Sequence, residues 1–264
     1  MKFTKMHGLG NDYLYVYGEV PGNAAELSKK LSERHLGAGS DGMIYISTSN
    51  IADFKMRIFN ADGSEAKMCG NGIRCVGKFV YDKGYTDKKF ISIETLSGVK
   101  YLTLQIVGGK VKTITVDMGQ AEAEKAMNLT VDGETVSLFP VSVGNPHAVI
   151  FVDDIEKAPL TKLGPIIEHH EAFPDGVNVE FVQVLGADKL RMRVWERGSG
   201  VTMACGTGAC ASVMAAIAAK HCHYDETVSV VLDGGILKIK IAADNTVQMT
   251  GPAETIYEGE TEIC

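Results

Sequence analysis

The sequence has no Cys-x-x-Cys pair, no Lys/Arg-rich run and no apolar stretch long enough for a bilayer. Each shortage excludes something. Without Cys-x-x-Cys, and without a Cys/His grouping at zinc-finger spacing, no metal site is expected. Six cysteines scattered over 264 residues do not make a disulfide scaffold. A net charge of −7 and a pI near 5.5 argue against nucleic acid as a partner. The longest apolar stretch, Ala209 to Ala219, falls short of the roughly 20 residues of a membrane-spanning helix. Met1 to His7 has no signal-peptide h-region. These shortages predict a soluble, cytoplasmic protein that binds neither nucleic acid nor membrane.

What is present is enough apolar sequence, 45%, for one large domain or two ordinary ones. It is also written twice. Cys69-Gly-Asn-Gly72 returns about half a chain later as Cys205-Gly-Thr-Gly208. Met56 to Ser64 resembles Met192 to Ser199, and each copy leads through a Met to its Cys-Gly. Upstream, Gly10-Asn11-Asp12 corresponds to Gly144-Asn145-Pro146-His147. Glu33-Arg34-His35 with Asp41-Gly42 corresponds to Glu168-His169-His170 with Asp175-Gly176. Downstream, Asp117 to Ala121 resembles Met249 to Ala253. Five matches in one order indicate a duplicated unit, and two long copies are not a solenoid.

Each half carries β-type runs. In the first these are Tyr13–Tyr17, Met43–Ile46, Phe54–Phe59, Phe90–Ile93, Tyr101–Val107 and Val111–Val116. In the second they are Ala148–Val152, Val177–Val184, Leu190–Trp195, Val228–Leu232, Ile236–Ile241 and Thr246–Thr250. Each half also carries two helical patterns. Ala24–His35 and Leu160–His170 are amphipathic, whereas Gly72–Asp82 and Gly208–His221 are apolar nearly all round and predict burial. The expected fold is therefore α+β, with two pseudo-symmetric domains. In each, a curved, mostly antiparallel sheet wraps a central buried helix. The boundary is expected near Gly119, giving domains 1–118 and 119–254.

The two Cys-Gly turns carry the chemistry. A cysteine at a helix N-terminus meets unpaired N–H groups and partial positive charge, which favour the thiolate and lower its pKa. The following Gly-x-Gly lets backbone N–H groups approach a carboxylate. Two such elements on opposite sides of an interdomain cleft would let one thiolate remove an α-proton while the opposing thiol supplies one. That inverts a stereocentre with no cofactor. Cys75 and Cys210, inside the expected buried helices, read as core. Cys222 and Cys264 lie at element ends and show no pairing pattern.

Asn11, Asn60, Asn145 and Asn178 stand at strand ends or turns at matching places in the halves. Singly each is a turn residue; together they read as side chains directed into the cleft. His147 brings an imidazole near the second-half site. Glu196-Arg197 suits a zwitterion, since Arg forks onto a carboxylate and Glu accepts from an ammonium. The first copy has Asn60-Ala61-Asp62 there and no Arg, as for a substrate whose two ends differ.

The words Lys5 to Tyr13, Phe59 to Glu65, Met68 to Cys75, Gly144 to His147, Trp195 to Gly200, Ala204 to Cys210 and Gly251 to Ala253 together resemble the diaminopimelate epimerase family. They span the chain in order. The resemblance implies Cys69 and Cys205 as the two bases, with Gly70-Asn71 and Gly206-Thr207 cradling the carboxylate at the reacting centre. It implies Asn11, Asn60, Asn145, Asn178, Glu196 and Arg197 as holders of the rest of the substrate, and His147 and Glu196 as aids to the thiols. It implies no cofactor, a small amino-acid substrate, a homodimer with Tyr257 at its contact, and a C-terminal tail, about 255–264, returning to the first domain. Gly42 departs from the family pattern, in which Gln follows the Asp. Three alternatives remain at this point: a same-fold racemase for proline, hydroxyproline or another polar amino acid, thiol redox chemistry at Cys69 and Cys205, and a non-catalytic binding protein.

Overall fold

The computed structural model describes residues 1–263, so Cys264 lies outside the described residues. In chain order the first elements are β1 Lys2–Gly8, β2 Asn11–Tyr17, α1 Ala24–Ser32, β3 Gly42–Ser47, β4 Phe54–Asn60, β5 Glu65–Ala66, α2 Gly70–Asp82, β6 Phe90–Thr95, β7 Gly98–Val107 and β8 Lys110–Gln120. There follow β9 Glu122–Ala123, β10 Met127–Val131, β11 Glu134–Ser142, β12 Pro146–Phe151, a 3-10 turn at Ile155–Lys157, α3 Leu160–Glu168, β13 Asn178–Gly186, β14 Lys189–Glu196 and β15 Gly200–Thr202. The last are α4 Gly206–Ala218, β16 Thr227–Leu232, β17 Gly235–Ile241, β18 Thr246–Pro252 and β19 Glu254–Glu260. Among the described residues no helix is long and apolar enough to cross a membrane.

The chain divides into two compact units. One is Met1–Val116 together with the segment from Gly251 onward, and the other is Asp117–Thr250. The division after Val116 falls inside β8, on the same strand as the expected boundary at Gly119. The first unit regains the chain at Gly251, where the sequence placed a returning tail from about 255.

The two units repeat one pairing order. In the first, β1 pairs β2 antiparallel, β2 pairs β3 parallel, β3 pairs β4 antiparallel and β4 pairs β6 parallel, followed by antiparallel β6–β7 and β7–β8. In the second, β11, β12, β13, β14, β16, β17 and β18 pair in the same sequence of senses. Antiparallel pairs dominate, as expected. The first unit adds β19, antiparallel to β1 on the edge that β2 leaves free.

Within each unit one helix is enclosed. In α4, residues Gly208 to Ile217 are all buried, and in α2 the buried run is Asn71 to Val80. Helix α4 has no polar face, so only enclosure by sheet satisfies it. Helix α2 is polar at Arg74 and Lys78, and both are satisfied internally. Arg74, with no exposed surface, donates to Gly70 O, Asn71 Oδ1 and Pro252 O. Lys78 donates to Asp82 and Val111 O. The other helix of each unit is amphipathic: α1 buries Ala24, Leu27, Ser28 and Leu31, and α3 buries Leu160, Leu163, Gly164 and Ile167. These faces meet two apolar clusters, one with Leu14, Met43 and Phe59, the other with Ala148, Val179 and Phe181.

Seven strands were not anticipated: β1, β10, β11 and β19, and the short β5, β9 and β15. Helices α1 and α3 end earlier than their patterns extend, because Glu33 leaves helical geometry (φ −57°, ψ 123°) and His169 caps α3. Helices α2 and α4 instead begin two residues earlier than expected, at Gly70 and Gly206, because the preceding cysteines cap them.

Gly42 opens β3 with φ +155°, a conformation L side chains rarely adopt. A Cβ there would lie 2.2 Å from Phe59 O and 2.9 Å from a ring carbon of Tyr13. The backbone of β4 and the Tyr13 ring already occupy the space that a side chain at this position requires. Gly42→Ala is therefore expected to lower the unfolding free energy by about 2 kcal/mol or more. A urea melt reads the change, and an unchanged midpoint would contradict the crowding.

Candidate active site

In both units a sulfur caps the buried helix. Cys69 Sγ accepts from Gly72 N at 3.3 Å, and Cys205 Sγ accepts from Gly208 N at 3.3 Å. Both cysteines are extended (φ −140°, ψ 115° and φ −114°, ψ 113°), the geometry of a residue that stops short of the helix while its side chain caps it. The Gly at the third helical position is required for this. A Cβ on Gly72 would stand 2.7 Å from Ile44 Cδ1 and 3.4 Å from Cys69 Sγ. One on Gly208 would stand 2.6 Å from Glu180 Oε1 and 3.2 Å from Cys205 Sγ. Gly70 and Gly206 begin the helices, so their N–H groups lack intrahelical partners.

The first-unit site is built around Cys69. Its thiol donates to Asn11 Oδ1 at 3.3 Å. Asn11 is oriented from behind, because its Nδ2 donates to Asp41 Oδ2 at 2.9 Å and the Asp12 N–H donates to the same oxygen. Arg34 bridges Asp12 and Asp41, and Lys5 pairs with Asp12 at 2.9 Å. Burial pushes the Asp41 carboxyl upward and Asp12 adds to the push, while hydrogen bonds from the Asp12 backbone and Asn11 and the charge of Arg34 oppose it. Burial also raises the Tyr13 hydroxyl well above its ordinary range, reinforced by Cys69 and Asp41. In the first turn of α2, Asn71 is buried and accepts from Arg74 Nη2 at 2.8 Å. Asn60 turns toward its own loop, donating to Ser64 Oγ at 3.0 Å.

The second-unit site is more charged. Glu180 and His147 are both without exposed side-chain surface, and His147 Nδ1 lies 2.7 Å from Glu180 Oε1. The other ring nitrogen, Nε2, is 3.2 Å from Asn145 Oδ1, and Asn145 Nδ2 donates to Thr207 Oγ1 at 3.4 Å. Thr207 Oγ1 is in turn 3.6 Å from Cys205 Sγ. Glu196 accepts from Thr202 Oγ1. Its carboxyl is raised by burial and by Glu180, against hydrogen bonds from Thr202 and Cys205. Asn178 has both amide ends engaged by the chain: Nδ2 donates to Pro146 O and Oδ1 accepts from Arg197 N, each at 3.0 Å. Arg197 donates from Nη1 to Asp175 O.

One expectation is corrected here. The helix N-terminus was expected to favour the thiolate and lower the thiol pKa, yet Cys205 is raised well above the ordinary thiol range. Burial contributes most, and the carboxylates Glu196 and Glu180 add to it; the bonds to Thr207 and Gly208 N offset only part. Burial and two facing carboxylates outweigh the helix behind the thiol. Cys75, deep in α2, is likewise pushed up to about 12 by burial, as a core cysteine is.

Each amphipathic helix braces the turn that ends the strand beside it. Ser28 of α1 donates to Phe59 O and Asn60 O, at 2.8 and 2.9 Å. Glu168 of α3 accepts from Trp195 Nε1 at 2.6 Å and from Gly198 N at 2.8 Å. The brace holds Asn60 in one unit and the Glu196-Arg197 pair in the other. Tyr257, on β19, is 41% exposed; its hydroxyl donates to Ala38 O and its ring meets Phe3 edge-on. The sequence reading passed over Asp41 as a ligand of Asn11, and over Tyr13, Glu180 and Thr202. Glu180 had a visible signal, a single charge inside the apolar run Val177–Val184.

The diaminopimelate epimerase family model matches residues 3–124 and 139–256. The chain belongs to that family. It is 50% identical over its whole length, and over all of the relative's, to the diaminopimelate epimerase of Methanococcus maripaludis strain C5. It is 51% identical to that of Bacteroides thetaiotaomicron, over 99% of this chain and 98% of the relative. The fold is also that of a probable proline racemase from Agrobacterium radiobacter K84, with a TM-score of 0.74 at 16% identity, over all of this chain and 93% of the other. As a member of the diaminopimelate epimerase family the chain is an isomerase.

The environment of Cys205 gives a direct check. Its alkylation by iodoacetamide, followed residue by residue in peptide digests, is expected to rise at a pH above that of a free cysteine, about 8.5. Glu196→Gln removes a negative charge that disfavours the thiolate, so the midpoint should move down. A wild-type midpoint at or below that of free cysteine would contradict the raised thiol.

Proposed function

We propose that this protein interconverts L,L-2,6-diaminopimelate and meso-diaminopimelate without a cofactor, in the supply of lysine and peptidoglycan precursors. Cys69 and Cys205 act as the two bases on one α-carbon. The observation that carries this reading is the pair of sulfur-capped helices, each with its own acid–base surroundings. In the L,L-to-meso direction or its reverse, one sulfur enters as thiolate and takes the α-proton while the other enters as thiol and delivers one. After turnover the roles are exchanged. The helix N-termini at Gly70-Asn71 and Gly206-Thr207 take the adjacent α-carboxylate, and their N–H groups stabilise the charge that develops as the α-carbon is deprotonated.

The distal end of the substrate is itself an amino acid, so it needs an acceptor for an ammonium and a donor for a carboxylate. Glu196 and Arg197 supply that combination, with Asn11, Asn60, Asn145 and Asn178 lining or bracing the same sites. His147 and Glu196 assist proton transfer at Cys205. A small cyclic amino acid would leave the distal charges unanswered, which favours diaminopimelate over proline or hydroxyproline.

As a domain arrangement we propose an N-terminal half-site domain and a C-terminal half-site domain, each bringing one thiol. We further propose a cytoplasmic homodimer whose contact includes Tyr257. The support is the exposure of Ile256 and Tyr257 side by side on β19, 49% and 41%. Large apolar side chains grouped on one surface strand are what an interface buries.

Three measurements test this. In D2O without added cofactor, L,L-diaminopimelate should acquire one α-deuterium as it epimerises, and proline should not. Cys69→Ala and Cys205→Ala should each lower kcat by about 1,000-fold or more; near-normal epimerisation by either variant would overturn the two-thiol mechanism. Light scattering should give a dimer mass for the wild type and a shift toward monomer for Tyr257→Ala. A wild-type monomer would end the dimer proposal.

A further inference from the structure

The two cysteine sites differ most at one buried position. In the first unit the atom packed where a Gly72 Cβ would be is Ile44 Cδ1, at 2.7 Å. In the second the atom at the corresponding place beside Gly208 is Glu180 Oε1, at 2.6 Å. Ile44 lies on β3 opposite Tyr15 of β2, and Glu180 lies on β13 opposite Val149 of β12, so the strands place them equivalently. Both are fully buried. The duplicated fold thus accepts an apolar side chain here, yet the second unit holds a fully buried carboxylate.

A carboxylate so placed is strongly destabilising unless a cation or donors compensate it. The compensation is narrow. Oε1 meets His147 Nδ1, and Oε2 is the only buried side-chain nitrogen or oxygen among the described residues without a hydrogen-bond partner. The groups facing this pair from the neighbouring elements are Glu196 at the end of β14 and Cys205 at the cap of α4, and neither is cationic. The imidazole is also bounded by acceptors on both sides, Glu180 Oε1 at Nδ1 and Asn145 Oδ1 at Nε2.

We propose that Glu180 is a positioning residue of the Cys205 site, holding the His147 ring at Nδ1 so that Nε2 faces Asn145 and, through it, Thr207 in the first turn of α4. This deepens the two-thiol reading and rests on it. Glu180 fixes the ring's orientation, and the ring in turn fixes Asn145 beside the element that takes the substrate carboxylate. Glu180 makes no contact with substrate in this account; it acts through His147.

Two variants test the assignment. Glu180→Gln keeps the size and can still accept from Nδ1 but removes the charge, and Glu180→Ile copies the first unit. Both are expected to lower kcat for L,L-diaminopimelate about 10- to 100-fold, with KM within about threefold. Nitrogen-15 spectra of His147 should show Nδ1 engaged in a hydrogen bond in the wild type and released from it in Glu180→Ile. A wild-type kcat in Glu180→Gln, or an unchanged His147 signal in Glu180→Ile, would overturn the proposal. Should Glu180→Ile fail to fold, the kcat of Glu180→Gln decides alone. Loss of activity in Cys205→Ala alongside full activity in Glu180→Gln sinks this proposal only, whereas an active Cys205→Ala sinks the two-thiol reading itself.

Discussion

A sulfur atom capping the N-terminus of an enclosed helix is the contact on which both units are organised. A cap normally falls to Ser, Thr, Asp or Asn, whose oxygen is the stronger acceptor. Using sulfur concedes some of that bond and places an ionisable group where the helix dipole acts on it. The glycine three positions on must then stay bare, since any Cβ would press on the sulfur and on the strand behind. An enclosed helix follows, because a reactive group shielded from water has to sit in the middle of a unit. The strands, repeated in the same pairing order, are what enclose it.

Against this common frame the electrostatics of the two sites diverge. At Cys69 the partner is an amide, Asn11, whose own direction is fixed by Asp41 and through it by Arg34. At Cys205 the surroundings are Glu196, Glu180 and His147, and the thiol is raised above its ordinary range by burial and by the two carboxylates. The two thiols therefore stand in unlike electrostatic surroundings.

The duplication, the enclosed helices and the cysteine pair were legible in the sequence because they are carried by repeated words and, in α4, by apolar residues nearly all round the helix. The strands β10 and β11 were equally legible but passed over. Leu129 and Val131 alternate with polar neighbours, as do Val136 and Leu138, and Asp132-Gly133 between them has the positive φ angles of a tight hairpin turn. Strand β19 carried no such signal: nearly every residue in it is exposed, and only its pairing with β1 defines it. The state of Cys205 was not legible for a different reason. A local rule, that helix ends favour thiolates, was outweighed by residues brought in from β13 and β14. Asn178 shows the same limit, since its place at a turn could not reveal that both its amide ends are committed to Pro146 and Arg197.

Strand β1 closes on β19, so the first unit is made of the two ends of the chain and the second is one uninterrupted stretch. During synthesis these two units are not equivalent. The stretch from Asp117 to Thr250 is complete when its last residue leaves the ribosome, whereas the opening segment waits with one edge of its sheet unpaired until Glu254–Glu260 emerges. The cysteine that appears first in the sequence therefore belongs to the unit that is finished last.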